Sequence, residues 1–437
     1  MRLNKLIFTL FLLLFSNKFF SSVETKSRVK FCPNGKQYTF NDQFSFILSG
    51  HAALEAFYDS HQVLGFQQDQ YVGFPLPKES DPRGLDISDK DQLNMLGFRV
   101  VGSIGMIGPK VFSADTSAQI LCEFDGVDNS TVRLLRIRKG FFDLDWERTN
   151  LLLGYYYHPI YIDEVYPDTV SRGFGRGYDP FAYAPQIRLC HKVEKFEYVF
   201  AVSTLFRSKP SRSAVVPDLF FKVNLELQKH LVGAGINLHA EVPRLETDFG
   251  YKTSQQVIAI QPFVFALFDL APFEAKFRAS LVENGTDFDI MGGYATRFRN
   301  PQTDERTLTS LRALTFWSDI VYNGKRVEPA LFVGVSKNLG ASKKIIKSYE
   351  DGEGNDIPLF GPDIGLQSAN YMFILAPRIR VHVKNFVFGF ELEYSRALFA
   401  RDFDQENWQD DFDDFGKVIH GDTASNTRFL FVTFYGF

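Results

Sequence analysis

Seven arginines carry most of the chemistry this chain offers: Arg136, Arg138, Arg172, Arg176, Arg188, Arg378 and Arg380. A guanidinium stays charged at any working pH and presents a rigid fork of donors. Along a water-filled path, such groups act on passing solutes by charge and hydrogen bonding, without making bonds. Bond-making groups are scarce. The eight histidines (51, 61, 158, 191, 230, 239, 382 and 420) include none in a Gly-x-Ser-x-Gly setting, and no Ser-His pair stands out as a nucleophile with its base. No spacing of His, Cys, Asp and Glu reads as a metal site, so neither metal nor cofactor is expected. The acidic run from Asp402 to Asp414 lacks the Gly and Glu placement of a calcium loop and reads as a solvated loop. Cys32, Cys122 and Cys190 are too few for a disulfide framework. The expectation is a protein that is not an enzyme.

The elements that would position these residues are strands. From Tyr371 the odd positions read Tyr371, Phe373, Leu375, Pro377, Ile379, Val381 and Val383, while the even positions include Arg378, Arg380, His382 and Lys384. This is period-two alternation with one apolar face. Phe386, Phe388, Phe390, Leu392 and Tyr394 follow on one face of the next strand. A two-residue turn at Lys384-Asn385 would set Val383 against Phe386, Ile379 against Phe390 and Arg378 against Glu391. A slip of one residue would mismatch every pair, so the register is determined. Further turns are expected at Glu147-Arg148, Glu194-Lys195 and Lys229-His230, and as a type I′ signal at Asn323-Gly324.

The same logic along the chain predicts sixteen strands: 44–58, 92–107, 115–124, 131–146, 149–157, 186–193, 196–206, 218–227, 231–242, 257–268, 272–282, 306–317, 326–336, 371–383, 386–398 and 426–437. Short and long connections alternate between them. Outer-membrane barrels combine short periplasmic turns with long outer loops and an even strand number. The fold class expected is therefore all-β, a transmembrane antiparallel barrel of about 16 strands, with 14 or 18 as alternatives.

The two ends agree with that direction. Arg2 and Lys5 precede the apolar run Leu6 to Phe15, a secretory signal pattern too short to span a bilayer as a helix. The chain ends at Phe437, with Tyr435, Phe431 and Phe429 on the same strand face. That ending resembles the C-terminal signal read by the machinery that folds outer-membrane barrels. The expected organisation is 1–22 signal peptide, 23–43 periplasmic segment and 44–437 barrel. The composition fits strands: 45% hydrophobic, with 47 Phe and 18 Tyr. Loss of Arg2, Lys5 and Lys18 with the signal segment takes the formal charge from −4 to −7, which is no footprint for nucleic acid.

A 16-stranded barrel leaves an aqueous channel. The third outer loop, 158–185, is the candidate constriction. It is long, yet Tyr161, Phe174, Tyr178 and Phe181 would be costly to leave in water, and folding back into the barrel would cover them. Arg172 and Arg176 would then face wall residues. Arg188, Arg378 and Arg380 have apolar neighbours of the opposite parity, which places them in the lumen, since a charge on the lipid face near midplane costs about 2–4 kcal/mol. For Arg136 and Arg138 the parity is muddled by the adjacent Phe141 and Phe142.

The runs Arg136-Ile137-Arg138-Lys139-Gly140-Phe141-Phe142-Asp143-Leu144-Asp145-Trp146 and Leu151 to Pro159, with Pro185 to Leu189 and Met291 to Ala295, resemble the phosphate-selective and DcaP-type porins. The resemblance implies a trimeric, 16-stranded diffusion channel with an inward third loop. It does not carry over the phosphate-binding arginine ladder. The partners implied are outer-membrane lipid and lipopolysaccharide, the barrel-assembly machinery, two further copies of the chain and small hydrophilic solutes, with anions preferred if the arginines act. An adhesin or anchor working through loops 337–370 and 399–425, or a barrel enzyme, are the alternatives.

Overall fold

The computed structural model describes residues 36–41, 44–64, 74–124, 134–171, 173, 175–205, 214–350, 356–358, 360–361, 369–401 and 408–437. The expected signal peptide and Cys32 lie outside them.

Sixteen antiparallel strands form the wall: Phe44–Asp59, Gln92–Val111, Ala114–Phe124, Leu135–Trp146, Thr149–Tyr157, Tyr183–Val193, Phe196–Ser203, Asp218–Leu227, His230–Glu241, Val257–Leu270, Phe273–Glu283, Arg306–Tyr322, Val327–Ala341, Ala369–Val383, Phe386–Phe399 and Asp422–Gly436. Each pairs with the next. The last closes on the first, from His51 opposite Gly436 to Asp59 opposite Arg428. Closure leaves no free wall edge. The terminal Phe437 exchanges both backbone hydrogen bonds with Gly50, at 2.9 and 3.0 Å. Below that point a short strand, Lys36–Asn41, continues along the same edge of the first wall strand, with Lys36 opposite Leu48. This strand falls within 23–43, the stretch expected as a periplasmic segment.

The alternation resolves as expected for lipid outside. In Ala369–Val383, Leu375, Ile379 and Val383 are exposed on the outer face, while Arg378, Arg380 and His382 are buried on the inner one. The hairpin register is the predicted one: Val383 opposite Phe386, Ile379 opposite Phe390, Arg378 opposite Glu391. Two-residue turns stand at Glu147-Arg148 and Glu194-Lys195, since Trp146 pairs with Thr149 and Val193 with Phe196. Two turn expectations need correction. His230 pairs with Leu227, so that turn is Gln228-Lys229, with Gln228 taking the positive φ. The connection at Asn323-Gly324 runs from 323 to 326 and is not a two-residue type I′ turn. The third loop also ends earlier than expected, at Ala182, because the next strand starts at Tyr183.

One irregularity decides the orientation of two predicted arginines. Leu121 pairs with Lys139 and Cys122 with Ile137, so Arg138 is an extra residue, a β-bulge. The bulge reverses parity along Leu135–Trp146. Arg138 and Lys139 are therefore both buried inside, Phe141 follows them inward, and Ile137 and Phe142 stay exposed outside.

Candidate functional site

The third loop, 158–182, lies inside the barrel. His158 N–H donates to Ala182 O at 2.9 Å and closes its neck. Of the aromatics that sequence reading found too costly to expose, Tyr161, Tyr178 and Phe181 are buried, as is Tyr166, while Phe174 lies outside the described residues. Tyr161 meets Tyr157 and Phe181 at ring separations of 5.0 and 5.2 Å, and Tyr178 packs between Phe74 and Phe332 at 5.6 and 6.2 Å. Two wall glycines make room for the loop. A Cβ on Gly334 would stand 2.7 Å from the Tyr178 ring, and one on Gly389 would stand 2.8 Å from a Val170 methyl.

The loop's acids and three of its amides reach across to the wall. Glu164 takes Lys222 Nζ at 2.9 Å. Asp163 accepts from Tyr156 OH at 2.8 Å. Asp168 pairs with Arg380 at 2.9 Å, and its own N–H donates to Asp319 at 2.8 Å. Val170 and Ser171 N–H groups donate to the two oxygens of Glu391, at 2.7 and 2.9 Å. Asp179 accepts from Arg278 Nη1 and Trp317 Nε1, both at 2.9 Å. At its base, Gly177 and Phe181 N–H groups donate to Asp289 and Phe288 carbonyls on the outer turn that follows Phe273–Glu283.

The predicted arginines are distributed over this frame. Arg136 and Arg138 both bind Glu123, Arg138 at 2.7 Å with Tyr183 OH as a second partner. Arg188 donates to Gln186 and to Tyr157 O at 2.9 and 3.0 Å and stacks over Tyr156. Arg378 pairs with Asp319 at 2.7 Å, not with Glu391 opposite it, whose carboxylate is held by the loop amides. Arg380 bridges Asp168 and Glu328, each at 2.9 Å. Arg176 pairs with Asp289 at 2.8 Å and lies over Phe181, near the loop's base. Arg172 lies outside the described residues.

Exposure separates these groups. The Arg378 and Arg380 side chains are 0% exposed, whereas Arg136 keeps 21%, Arg188 14% and Glu164 22%. Water therefore reaches an acid of the loop and two cations of the wall. Groups of both signs bordering water set up a field that can orient a small charged solute. Lys139, brought in by the bulge, belongs to the same wall, with its ammonium 4.2 Å from the Tyr156 ring centre. Sequence reading missed it for want of the bulge. It also passed over Asp163, Glu164 and Asp168, although acids inside an aromatic loop are themselves a signal of a covered polar seam.

At the outer rim, Arg244, Arg299 and Arg306 converge on Asp304, the first two at 2.6 Å and the third at 3.1 Å. Burial alone would push its carboxyl up. The three guanidinium groups outweigh that and hold it well below the usual carboxylate range.

No family model matches the chain, and no curated protein matches it. Solved structures do. The outer membrane channel DcaP of Acinetobacter baumannii aligns over 92% of this chain and 99% of its own, with a TM-score of 0.64 at 13% identity. The fold is that of the bacterial outer-membrane porins. An anion-selective porin from Comamonas acidovorans covers 90% of this porin-fold chain and 100% of its own, at TM-score 0.53 and 8% identity. Salmonella typhi OmpF, in complex with daunomycin, covers 92% and 100% at TM-score 0.51 and 12% identity. At these identities the shared property is the barrel, so this chain's own residues must carry any argument about passage.

Proposed function

We propose that this porin-fold barrel is a passive diffusion channel of the bacterial outer membrane for small hydrophilic solutes. The observation that carries the reading is the third loop. It crosses a charged lumen and is tied to several wall strands, while Glu164, Arg136 and Arg188 stay in contact with water. Solutes would pass between the loop's acidic edge and the wall's cations. A mild anion preference follows if Arg136 and Arg188 outweigh Glu164. The fully buried Arg380 braces the loop through Asp168, Arg378 holds the wall acid Asp319 that receives the Asp168 amide, and Arg138 braces the wall beside Arg136. No catalytic step is assigned.

The reading includes export by the N-terminal signal segment, folding guided by Phe437, a homotrimer, and outer loops in contact with lipopolysaccharide. Liposome swelling with uncharged sugars of increasing size tests passage. Swelling that falls off smoothly with solute size supports it, and swelling no faster than in protein-free liposomes contradicts it. Light scattering on the detergent-extracted protein tests the trimer.

A further inference from the structure

A histidine at the outer mouth is set up as a metal ligand. His239 and Glu241 lie two apart at the upper end of His230–Glu241, so both point inward, and both are buried. The outer turn Thr286–Phe288 brings Asp287 beside them. One ligand atom from each of the three lies within 4.8 Å of the others.

The histidine ring is oriented by a carboxylate. Its Nδ1 lies 2.9 Å from Asp218 Oδ1. In the neutral ring, a carboxylate accepting from Nδ1–H leaves Nε2 as the lone pair, the usual outer-shell arrangement of metal-binding histidines. Nε2 is buried without a hydrogen-bond partner and is 3.9 Å from Asp287 Oδ2. Glu241 is oriented in turn by Asn284, whose amide donates to Oε2 at 2.7 Å. Asp218, Asp287 and Glu241 surround this ring, so the pocket favours a positive charge, carried either by the ring itself or by a bound cation that displaces its proton.

We propose that His239, Glu241 and Asp287 bind a divalent cation of the zinc class, with Asp218 as positioning residue. One imidazole and two carboxylates suit zinc better than calcium, which takes oxygen ligands in larger number. Bond lengths of about 2.0–2.2 Å require the three groups to close by about 1–1.5 Å, a movement within the reach of Asp287 on its short turn. Asp287 keeps 12% exposure, so a fourth position opens to solvent. The turn that supplies Asp287 also receives the third loop's Gly177 and Phe181 amides, and its Phe288 ring packs between His158 and His239 at 5.1 and 5.3 Å. The ion would therefore fasten the base of the third loop to the wall. Sequence reading found no metal spacing because one ligand comes from 46 residues beyond the Glu241 position.

The test uses the full barrel in detergent, without an affinity tag, titrated calorimetrically with Zn2+ and followed by visible absorption with Co2+. One ion per chain at micromolar affinity or tighter is expected. His239→Gln and Asp287→Asn should abolish binding, and Asp218→Asn should weaken it about 10–100-fold. Heat-modifiable mobility on gels verifies that each variant is folded. No stoichiometric binding by the wild type overturns the proposal. So does affinity kept within threefold by folded His239→Gln and Asp287→Asn.

Discussion

Asp179→Asn isolates the third loop from the barrel that holds it. Asp179 and Arg278 are each 1% exposed, and the carboxylate is also the acceptor for Trp317 Nε1–H. Uncoupling one partner of a buried ion pair costs about 3–5 kcal/mol, because the remaining charge stays buried. Asparagine keeps the size and a carbonyl acceptor for one of the two donors, so the lower end applies. A loss of about 3 kcal/mol raises the population of loop detached at this point about a hundredfold. The wall has no share in that loss, since its strand ladders are untouched. Three readouts follow. Trp317, buried and one of three tryptophans, should shift its emission to longer wavelength. Chymotrypsin should cut among Tyr161, Tyr166 and Tyr178 far faster than in the wild type. Single-channel records should show larger and noisier steps. An unfolding temperature lowered in step with these changes would mean that loop and wall unfold together. Unchanged proteolysis and noise would refute the tether itself.

Arg188→Gln should move the reversal potential in a salt gradient toward cation preference with the barrel intact, because the partly exposed charge is lost, the new amide can still donate to the Tyr157 carbonyl, and Asp163, the ion partner at 3.9 Å, keeps its hydrogen bond from Tyr156 OH. The double change Arg378→Glu with Arg380→Glu should prevent folding, seen as loss of heat-modifiable mobility. It strands Asp319, Asp168 and Glu328 without their cations. Gly334→Leu should cost about 1–3 kcal/mol of loop seating, since its side chain would enter the Tyr178 ring. Protease sensitivity confined to the third loop checks it. At the rim, Asp304 has its carboxyl depressed by three arginines, so its stabilisation is present above the ordinary carboxylate value of about 3.9 and is lost only as pH falls through the lower folded value. Asp304→Asn should remove that stabilisation at neutral pH, and the gap in melting temperature between the two proteins should narrow in strong acid.

The wall was legible because lipid imposes one rule on every strand. An outward charge is costly, so alternation, register and hairpin partners could be read directly, down to Arg378 opposite Glu391. The third loop was legible for a related reason: its rings needed cover. Side-chain partners inside the lumen were not legible. Arg378 chooses Asp319, and Glu391 serves two loop amides, because a folded loop competes for wall groups that strand register alone would pair. The Arg138 bulge was also out of reach, since one inserted residue leaves only a break in parity, which adjacent phenylalanines blur. The His239, Glu241 and Asp287 group needs a turn placed in space, and local spacing says nothing of it.

The claim that the third loop sets an aqueous passage is tested most directly by single-channel conductance in planar bilayers. The comparison is between the wild type and a variant in which 162–179 is replaced by a short Gly-Ser linker. Stepwise conductance is expected from the wild type and a several-fold larger step from the variant. A silent wild type, or equal steps from the two, would contradict it.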